Sequence, residues 1–131
     1  MNVTDCIKTR RSIRNYKEDQ IPQDLLKEVV ELARFAPSWK NTQIARYYVV
    51  QSAELKKKIA EECMMDFAFN TKTLTKAPAL VVVAYVEKRS GYERDGSFTT
   101  SKEDGWEMFD AGIATQTFCL AAAEKGLGTC I

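Results

Sequence analysis

The sequence contains no histidine among its 131 residues. Histidine is the side chain that changes charge near neutral pH, and it is the most frequent general base and metal ligand in proteins. Its absence excludes a serine–histidine triad and the usual histidine-bearing zinc sites. Any catalysis must therefore depend on carboxylates, thiols, lysines or a bound cofactor.

Cysteines are few, and none stands at a spacing that binds metal. The four are Cys6, Cys63, Cys119 and Cys130, and no two form a C-x-x-C pair. Without histidine, a zinc site would need all four to converge from distant segments. We therefore predict reduced thiols that are buried or half-buried, and no metal site.

The sequence also lacks a strong charge imbalance, a leader and a long apolar run. Nineteen basic and 18 acidic residues give a net charge of +1, which is weak support for a nucleic-acid or membrane partner. The N-terminus has no basic region followed by an apolar stretch, and no run reaches the roughly 20 apolar residues of a membrane span. We expect a soluble, cytoplasmic protein that binds neither nucleic acid nor membrane.

Apolar spacing predicts helices that alternate with strands. After two N-terminal helices, the second starting near Pro22, the pattern predicts a strand over 46–51, a helix capped by Ser52 and a strand over 79–86. A solvated loop from 87 to 104 follows, then a long helix from about 106 to 125 and the start of a strand at Gly128. The order α, α, β, α, β, α, β indicates an α+β or α/β domain in which helices cover a sheet.

The long helix is apolar on two faces. One face carries Trp106, Phe109, Ile113, Thr117 and Leu120, and the other carries Met108, Gly112, Thr115, Cys119 and Ala122. A helix that is apolar on two sides is buried on two sides. In a chain of this size, we expect one of those sides to face a partner subunit.

Two polar constellations could hold a ligand. The first is a basic segment in which Ser12 lies among Lys8, Arg10, Arg11, Arg14 and Lys17. Guanidinium groups match phosphate oxygens in pairs, so this segment is a candidate phosphate site. A solvated helix end ranks first on charge alone, and nucleic-acid backbone contact is a further alternative.

The second constellation follows the second helix and carries Pro37, Ser38, Asn41 and Gln43. Asparagine and glutamine each pair a donor with an acceptor, so they can bind the polar edge of a heteroaromatic ring. A turn with side-chain capping is the more frequent meaning of such residues. Taken alone, this signal is weak.

The ordered set of these motifs resembles the nitroreductase family. The resemblance rests on Arg10-Arg11-Ser12-x-Arg14, on Ala36-Pro37-Ser38 with Asn41 and Gln43, on Ala77-Pro78 before an apolar strand, and on the long helix ending in Lys125-Gly126-Leu127-Gly128-Thr129. It covers essentially the whole chain. It implies an α+β fold with a central sheet flanked by helices, and a homodimer with the long helix buried at its interface. It also implies FMN at two interface sites, and electron transfer from NAD(P)H through the flavin to nitroaromatic, quinone or similar acceptors.

The resemblance also implies roles for individual residues. Arg10, Arg11, Ser12 and Arg14 would hold the phosphate and ribityl end of FMN. The residues approaching the flavin from the other subunit would be Pro37, Ser38, Asn41 and Gln43. Asn70 looks like a family asparagine near the flavin ring. No residue is assigned as acid, base or nucleophile.

The family usually continues beyond the strand predicted at Gly128. We therefore expect residues 1–131 to form a single nitroreductase-like domain that is shortened at its C-terminal end, either as a truncated chain or as a genuinely short relative, and we favour the first. An incomplete site leaves open a flavin-binding protein with little turnover. A small basic module that binds nucleic acid ranks last.

Overall fold

The computed structural model describes residues 2–131 and has an α+β architecture. Its elements, in chain order, are α1 (Val3–Thr9), α2 (Gln23–Ala33), a short 3-10 turn (Trp39–Asn41), β1 (Ala45–Val50), α3 (Ala53–Glu62), α4 (Ala68–Lys76), β2 (Leu80–Tyr85) and α5 (Gly105–Glu124). The predicted α+β class is confirmed.

The two strands pair in antiparallel orientation, with Ala45 opposite Tyr85 and Val50 opposite Leu80. Both strands are rich in β-branched and aromatic residues, which fit a pleated surface, and each bound lies within one residue of the prediction. Helix α5 packs on one face, where the ring of Tyr47 stacks on Phe118 with 5.6 Å between centroids. Val82 on the second strand is 41% exposed, so the sheet is not fully covered in the single chain.

The core lies between α2 and α5. Val29 and Ala33 from α2 pack against Phe118, Ala121 and Ala122 from α5. Full burial of one such large apolar side chain contributes about 1.5–3 kcal/mol. Both α2 and the sheet therefore pack against helix α5.

The buried stripe of α5 differs from the sequence prediction. The bounds of this helix are confirmed within one residue, and Cys119 and Ala122 of the second predicted face are buried, but most of the buried stripe runs from Glu107 through Asp110 and Ala114 to Phe118, between the two predicted faces. Met108 is 67% exposed and Phe109 is 58% exposed. The prediction failed because hydropathy places carboxylates outside, whereas here both carboxylates accept hydrogen bonds that offset their burial.

Three further segments depart from the prediction. The sequence analysis did not predict helix α4, since its threonines weaken the helical pattern. Three of these threonines donate a hydrogen bond from the side-chain hydroxyl to the carbonyl oxygen four residues earlier. The strand predicted at Gly128 is wrong, because Thr129 forms only an isolated parallel bridge with Ser12. The predicted solvated loop over 87–104 has no helix or strand and is largely exposed, as predicted, but Ser90 and Gly91 within it are buried.

All four cysteines are free; Cys6 and Cys119 are buried and Cys130 is half-buried. Cys63 is exposed, so for this thiol the expectation of burial is wrong. Within residues 2–131, no group of three cysteine or carboxylate side chains is arranged to hold a metal ion. In the same range, no helix combines the length and the apolar character that crossing a membrane requires.

Candidate functional site

The segment from Ser38 to Gln43, called here the 38–43 turn, has an unusual backbone. Lys40, Asn41 and Gln43 have φ angles of 43°, 54° and 50°, in the left-handed region where a residue other than glycine is strained by about 1–2 kcal/mol. Ser38 Oγ accepts a 2.8 Å hydrogen bond from the Gln43 amide. Gln43 Nε2 donates to Asn41 Oδ1 at 3.2 Å. The structure thus brings together Ser38, Asn41 and Gln43, as the sequence analysis expected.

A buried carboxylate on α5 holds this turn from below. Asp110 is 2% exposed, and its two oxygens accept from the Trp39 amide at 3.0 and 3.1 Å. The Ser90 hydroxyl donates to Asp110 Oδ2 at 2.5 Å. Because the proton of Ser90 is used there, Thr42 donates its own hydroxyl to Ser90 Oγ, also at 2.5 Å.

Sequence reasoning missed both Asp110 and Ser90. One signal was available for Asp110, since a carboxylate within an apolar helix needs several donors to offset its desolvation. Ser90 is fully buried, yet it stands in a polar stretch that the sequence alone marks as a solvent-exposed loop. Its role depends on a contact with a residue twenty positions away.

A cavity of about 290 Å³ opens beside the turn. Its polar lining includes Ser38, Gln43 and Asp110, and Pro37 is also part of its wall. Arg34 and Arg46 also line it, together with apolar groups that include Val30, Tyr47 and Ala114. Three of the predicted site residues therefore line one cavity.

Aromatic and cationic side chains cover the other side of the turn. The rings of Trp39 and Trp106 lie 6.4 Å apart, and Phe109 meets Trp106 edge-on at 5.5 Å. Lys40 Nζ lies 4.5 Å from the centre of the Trp39 ring, within the range of a cation–π contact. The turn thus lies next to an aromatic cluster that carries positive charge.

Loop 87–104 is tied to the turn by Glu93. This carboxylate accepts from Thr99 Oγ1 at 2.7 Å and from Lys40 Nζ at 2.9 Å. The Thr99 hydrogen bond, reinforced by the Lys40 ammonium, holds the pKa of Glu93 below its usual value of 4.5. The loop and the turn therefore touch at an exposed ion pair as well as at the buried serine.

The basic segment lies after α1, and its arginines make local contacts only. Arg11 Nη1 donates to the carbonyl oxygens of Lys8 and Arg10 at 2.7 and 2.8 Å, and Arg14 Nη1 donates to the Ser12 carbonyl at 3.3 Å. No carboxylate within residues 2–131 forms an ion pair with Arg10, Arg11 or Arg14. Their guanidinium groups keep donors that can bind an anion.

The basic segment is fixed against residues 128–129. The Ile13 amide donates to the Thr129 carbonyl at 2.8 Å. A Cβ on Gly128 would lie 2.9 Å from Ile13 Cγ1, so only glycine allows this close approach. The backbone around Ser12 is thereby held in a defined position.

The predicted site residues form two groups that are separate in the single chain. Among residues 2–131, no hydrogen bond or ion pair joins the segment Arg10–Arg14 to the 38–43 turn. Asn70 lies in a third place, exposed on α4, where its amide donates to the Phe67 carbonyl at 3.0 Å. Within residues 2–131, no hydrogen bond or ion pair joins the Asn70 side chain to either group.

Comparisons with known proteins agree on one family. The model of the nitroreductase family matches residues 7–131. A protein of Methanothermobacter thermautotrophicus, provisionally named an NADH dehydrogenase/NAD(P)H nitroreductase, is 31% identical over 128 residues, which are 98% of this chain and 59% of the relative. The FMN reductase [NAD(P)H] of Bacillus subtilis is 31% identical over 134 residues, covering 97% of this chain and 52% of the relative.

Solved structures have the same fold. A nitroreductase family protein from Clostridium novyi NT superposes with a TM-score of 0.80 at 29% identity, over 99% of this chain and 68% of that one. An FMN-dependent nitroreductase from Clostridium difficile R20291 gives a TM-score of 0.71 at 28% identity, over 96% and 57%.

The chain spans between half and two thirds of the length of the two curated relatives named above. The match nevertheless runs through both polar constellations, the sheet and α5. On this evidence, the chain belongs to the nitroreductase family.

Proposed function

We propose that this protein is an FMN-dependent oxidoreductase that transfers electrons from NAD(P)H to nitroaromatic, quinone or similar acceptors. Two similar proteins carry names that mention FMN, one as FMN reductase [NAD(P)H] and one as FMN-dependent nitroreductase. The structural observation that carries the proposal is a pair of polar groups, one cationic and one rich in amides, whose donors and acceptors are only partly used within the chain. A sequence without histidine agrees with chemistry that a cofactor supplies.

The basic segment fits the phosphate of FMN. Arg10, Arg11 and Arg14 have no carboxylate partner within residues 2–131, and guanidinium groups bind phosphate oxygens through paired charged hydrogen bonds. The Ser12 hydroxyl is exposed and can add a donor. These four residues would hold the phosphate and ribityl end.

The 38–43 turn fits the polar edge of the isoalloxazine ring. Asn41 and Gln43 bond to each other through one side-chain atom each, which leaves the Asn41 amino group and the Gln43 carbonyl for a ligand. When bound, FMN supplies the redox chemistry that the side chains of this sequence cannot supply. The contribution of the protein is then to bind and orient, and no residue is assigned as acid, base or nucleophile.

We also propose that the complete site forms between two copies of the chain. The support is the separation of the basic segment from the turn within one chain, together with the exposed apolar side chains Met108 and Phe109 on α5. One protomer would contribute Arg10–Arg14 and its partner Pro37–Gln43. A role for Asn70 at the flavin, the single-domain organisation and the cytoplasmic location stay predictions.

An anaerobic visible absorption spectrum of the purified chain, taken before and after addition of NADH or NADPH, tests the proposal. We expect a flavin spectrum that bleaches, and the effective nicotinamide identifies the donor. Bands that persist would favour the alternative of a flavin-binding protein with little turnover. A preparation that stays colourless after incubation with FMN and desalting would overturn the proposed cofactor for this chain.

A further inference from the structure

We propose that Asp110 and Ser90 are positioning residues that hold the 38–43 turn in the conformation that binds the flavin. This inference rests on the proposed function and assigns that function two residues that do not themselves touch the cofactor. It also links the site to loop 87–104, since Ser90 belongs to that loop. The argument starts from the strain in the turn.

The turn cannot keep its shape by local preference alone. Lys40, Asn41 and Gln43 are all left-handed within four positions, and strained backbone of this kind persists only where the surrounding structure fixes it. Within the turn, the hydrogen bonds of Ser38 and Asn41 are made at its exposed surface. They compete with water, so they are weak compensation for the strain.

The buried contacts below the turn are stronger. Both oxygens of Asp110 accept from the Trp39 amide, and hydrogen bonds to an ionised acceptor are roughly twice as strong as neutral ones. Asp110 is 2% exposed and Ser90 is fully buried, so water does not replace these bonds. The amide of Trp39 is therefore held at a fixed height above α5.

The hydroxyl chain fixes the other end of the turn. Thr42 donates to Ser90, and Ser90 donates to Asp110. Trp39 and Thr42, which flank the left-handed pair Lys40 and Asn41, thus converge on one carboxylate. Displacement of either end changes the position of Asn41, and a misplacement of about 1 Å in a binding group can cost on the order of 100-fold in rate.

Loop 87–104 is anchored to the same helix one turn earlier. The Lys88 amide donates to Glu107 Oε1 at 2.5 Å, and Glu107 is itself buried. The two buried carboxylates of α5 therefore hold the start of the loop and, through Ser90, its contact with the turn. The position of loop 87–104 is therefore coupled to that of the 38–43 turn, because both are bonded to α5.

Three variants test the proposal. Ser90→Ala removes the bridging hydroxyl, and Asp110→Asn removes the charge while keeping the shape of the side chain. Ser101→Ala is the matched control, because Ser101 is exposed on the same loop. Both tryptophans of the sequence lie in the cluster beside the turn, so tryptophan fluorescence and its quenching by acrylamide report the position of the turn without FMN.

We expect Ser90→Ala and Asp110→Asn to make the tryptophans more accessible to acrylamide in the apo-protein. We also expect both to weaken the Kd for FMN about tenfold, the effect of losing about 1.4 kcal/mol, and to alter the visible circular dichroism of bound FMN. Ser101→Ala should match the wild type in all three measurements. A loss of melting temperature alone, with unchanged flavin signals, would show a merely structural role and overturn the proposal.

A second pair of variants guards against a general packing effect. Thr42→Val keeps the volume of the side chain and removes the hydroxyl that donates to Ser90, whereas Thr42→Ser keeps the hydroxyl. We expect Thr42→Val to weaken FMN binding and Thr42→Ser to preserve most of it. Equal affinity of the two variants for FMN would overturn the proposed role of the hydroxyl chain that runs from Thr42 through Ser90 to Asp110.

The two proposals fail in distinguishable ways. A wild-type chain that binds no FMN overturns the proposed function and, with it, the flavin part of this inference. The acrylamide comparison then still decides whether Asp110 and Ser90 hold the turn. Unchanged quenching in both variants overturns the inference even if FMN binds.

Discussion

At the scale of single residues, the site depends on side chains whose importance comes from their neighbours. Ser38 and Gln43 are ordinary turn residues in the sequence, but the left-handed backbone at Gln43 and the hydrogen bond between them place both at one cavity. The arginines of the basic segment differ. Their guanidinium groups indicate an anion site by their charge alone, provided that no carboxylate pairs with them.

The first residue-scale prediction concerns Arg14, whose side chain is exposed and bonds only to the carbonyl of Ser12. Arg14→Ala should weaken FMN binding roughly 10- to 100-fold, because it removes a charged donor from the proposed phosphate site. Riboflavin, which lacks the phosphate, should bind the variant and the wild type equally. Flavin fluorescence titrations measure both affinities.

Lys58→Ala serves as the control, since Lys58 is exposed on α3, away from both groups. It should leave the affinity for FMN unchanged. Equal loss of riboflavin and FMN affinity in Arg14→Ala would show that Arg14 contacts another part of the flavin or supports the fold.

The second residue-scale prediction concerns pH and Glu93. Its pKa is lower in the folded chain than in the unfolded one, first through Thr99 and then through Lys40. The stabilising contribution is therefore present above the unfolded glutamate pKa of about 4.3 and disappears as the pH falls through the lower folded pKa.

Glu93→Gln should accordingly lower the melting temperature at about pH 6, above the unfolded pKa, and have no effect once both states are protonated. The pair is exposed, so the effect should be small. Thermal melts of both chains across this pH range measure it. A difference that persists at the acid end would mean that the side chain acts by packing and not by charge.

At the scale of elements, the sequence predicted the regular segments well and the irregular ones poorly. β1, β2, α2 and α5 follow from period and propensity because each carries a long uniform pattern. Helix α4 lacks such a pattern. Loop 87–104 has the composition of a solvated loop, and its folded state depends on Asp110 and Glu107, contacts that no local pattern contains.

The prediction at this scale compares alanine substitutions at two glycines of loop 87–104. Gly91 and Gly96 both have left-handed backbones, with φ of 88° and 86°, but a Cβ on Gly91 would lie 2.2 Å from the Glu103 carbonyl oxygen, whereas a Cβ on Gly96 meets no atom within 4 Å. Gly96→Ala should cost about 1 kcal/mol from the backbone alone. Gly91→Ala should cost about 3 kcal/mol, because the clash adds to the strain.

Urea unfolding of the two alanine variants measures this difference, and Gly96→Ala is the internal control. Equal destabilisation would contradict the close packing of loop 87–104 against its own C-terminal end. It would also weaken the view that tertiary contacts hold this segment in one conformation.

At the scale of the whole molecule, the exposed side of α5 is an apolar surface that the single chain does not explain. Met108 and Phe109 are more than half exposed, although both are large and apolar. Gly112 lies on the same side, and a Cβ there would meet no atom within 4 Å. A glycine in an exposed helical position costs about 1 kcal/mol relative to alanine, so a close approach by a second helix is a physical reason for its presence.

The final prediction separates folding from association at this glycine. Gly112→Arg should stabilise the helix of the isolated chain by up to about 1 kcal/mol and yet shift the proposed dimer toward monomer, because a charged side chain occupies the proposed interface. Circular dichroism melts measure the first effect, and sedimentation velocity measures the second. Ala68→Arg, which adds the same charge to the exposed surface of α4, should leave the dimer intact.

A dimer that survives in Gly112→Arg would exclude this side of α5 from the interface. A wild-type chain that sediments as a monomer at all concentrations would overturn the proposed two-subunit site itself.

The sequence by itself determined the family, the α+β class, the two strands and the long helix, because these depend on ordered motifs and on periodic patterns that act locally. It also identified Ser38, Asn41 and Gln43 as a group, since they are near one another along the chain. Only the tertiary structure decided that Asp110 and Ser90 lie beneath that group, and that Asn70 is exposed on α4. The reason is that hydrogen bonds between residues 20 to 71 positions apart depend on how α5 packs, and that packing leaves no mark in the local sequence.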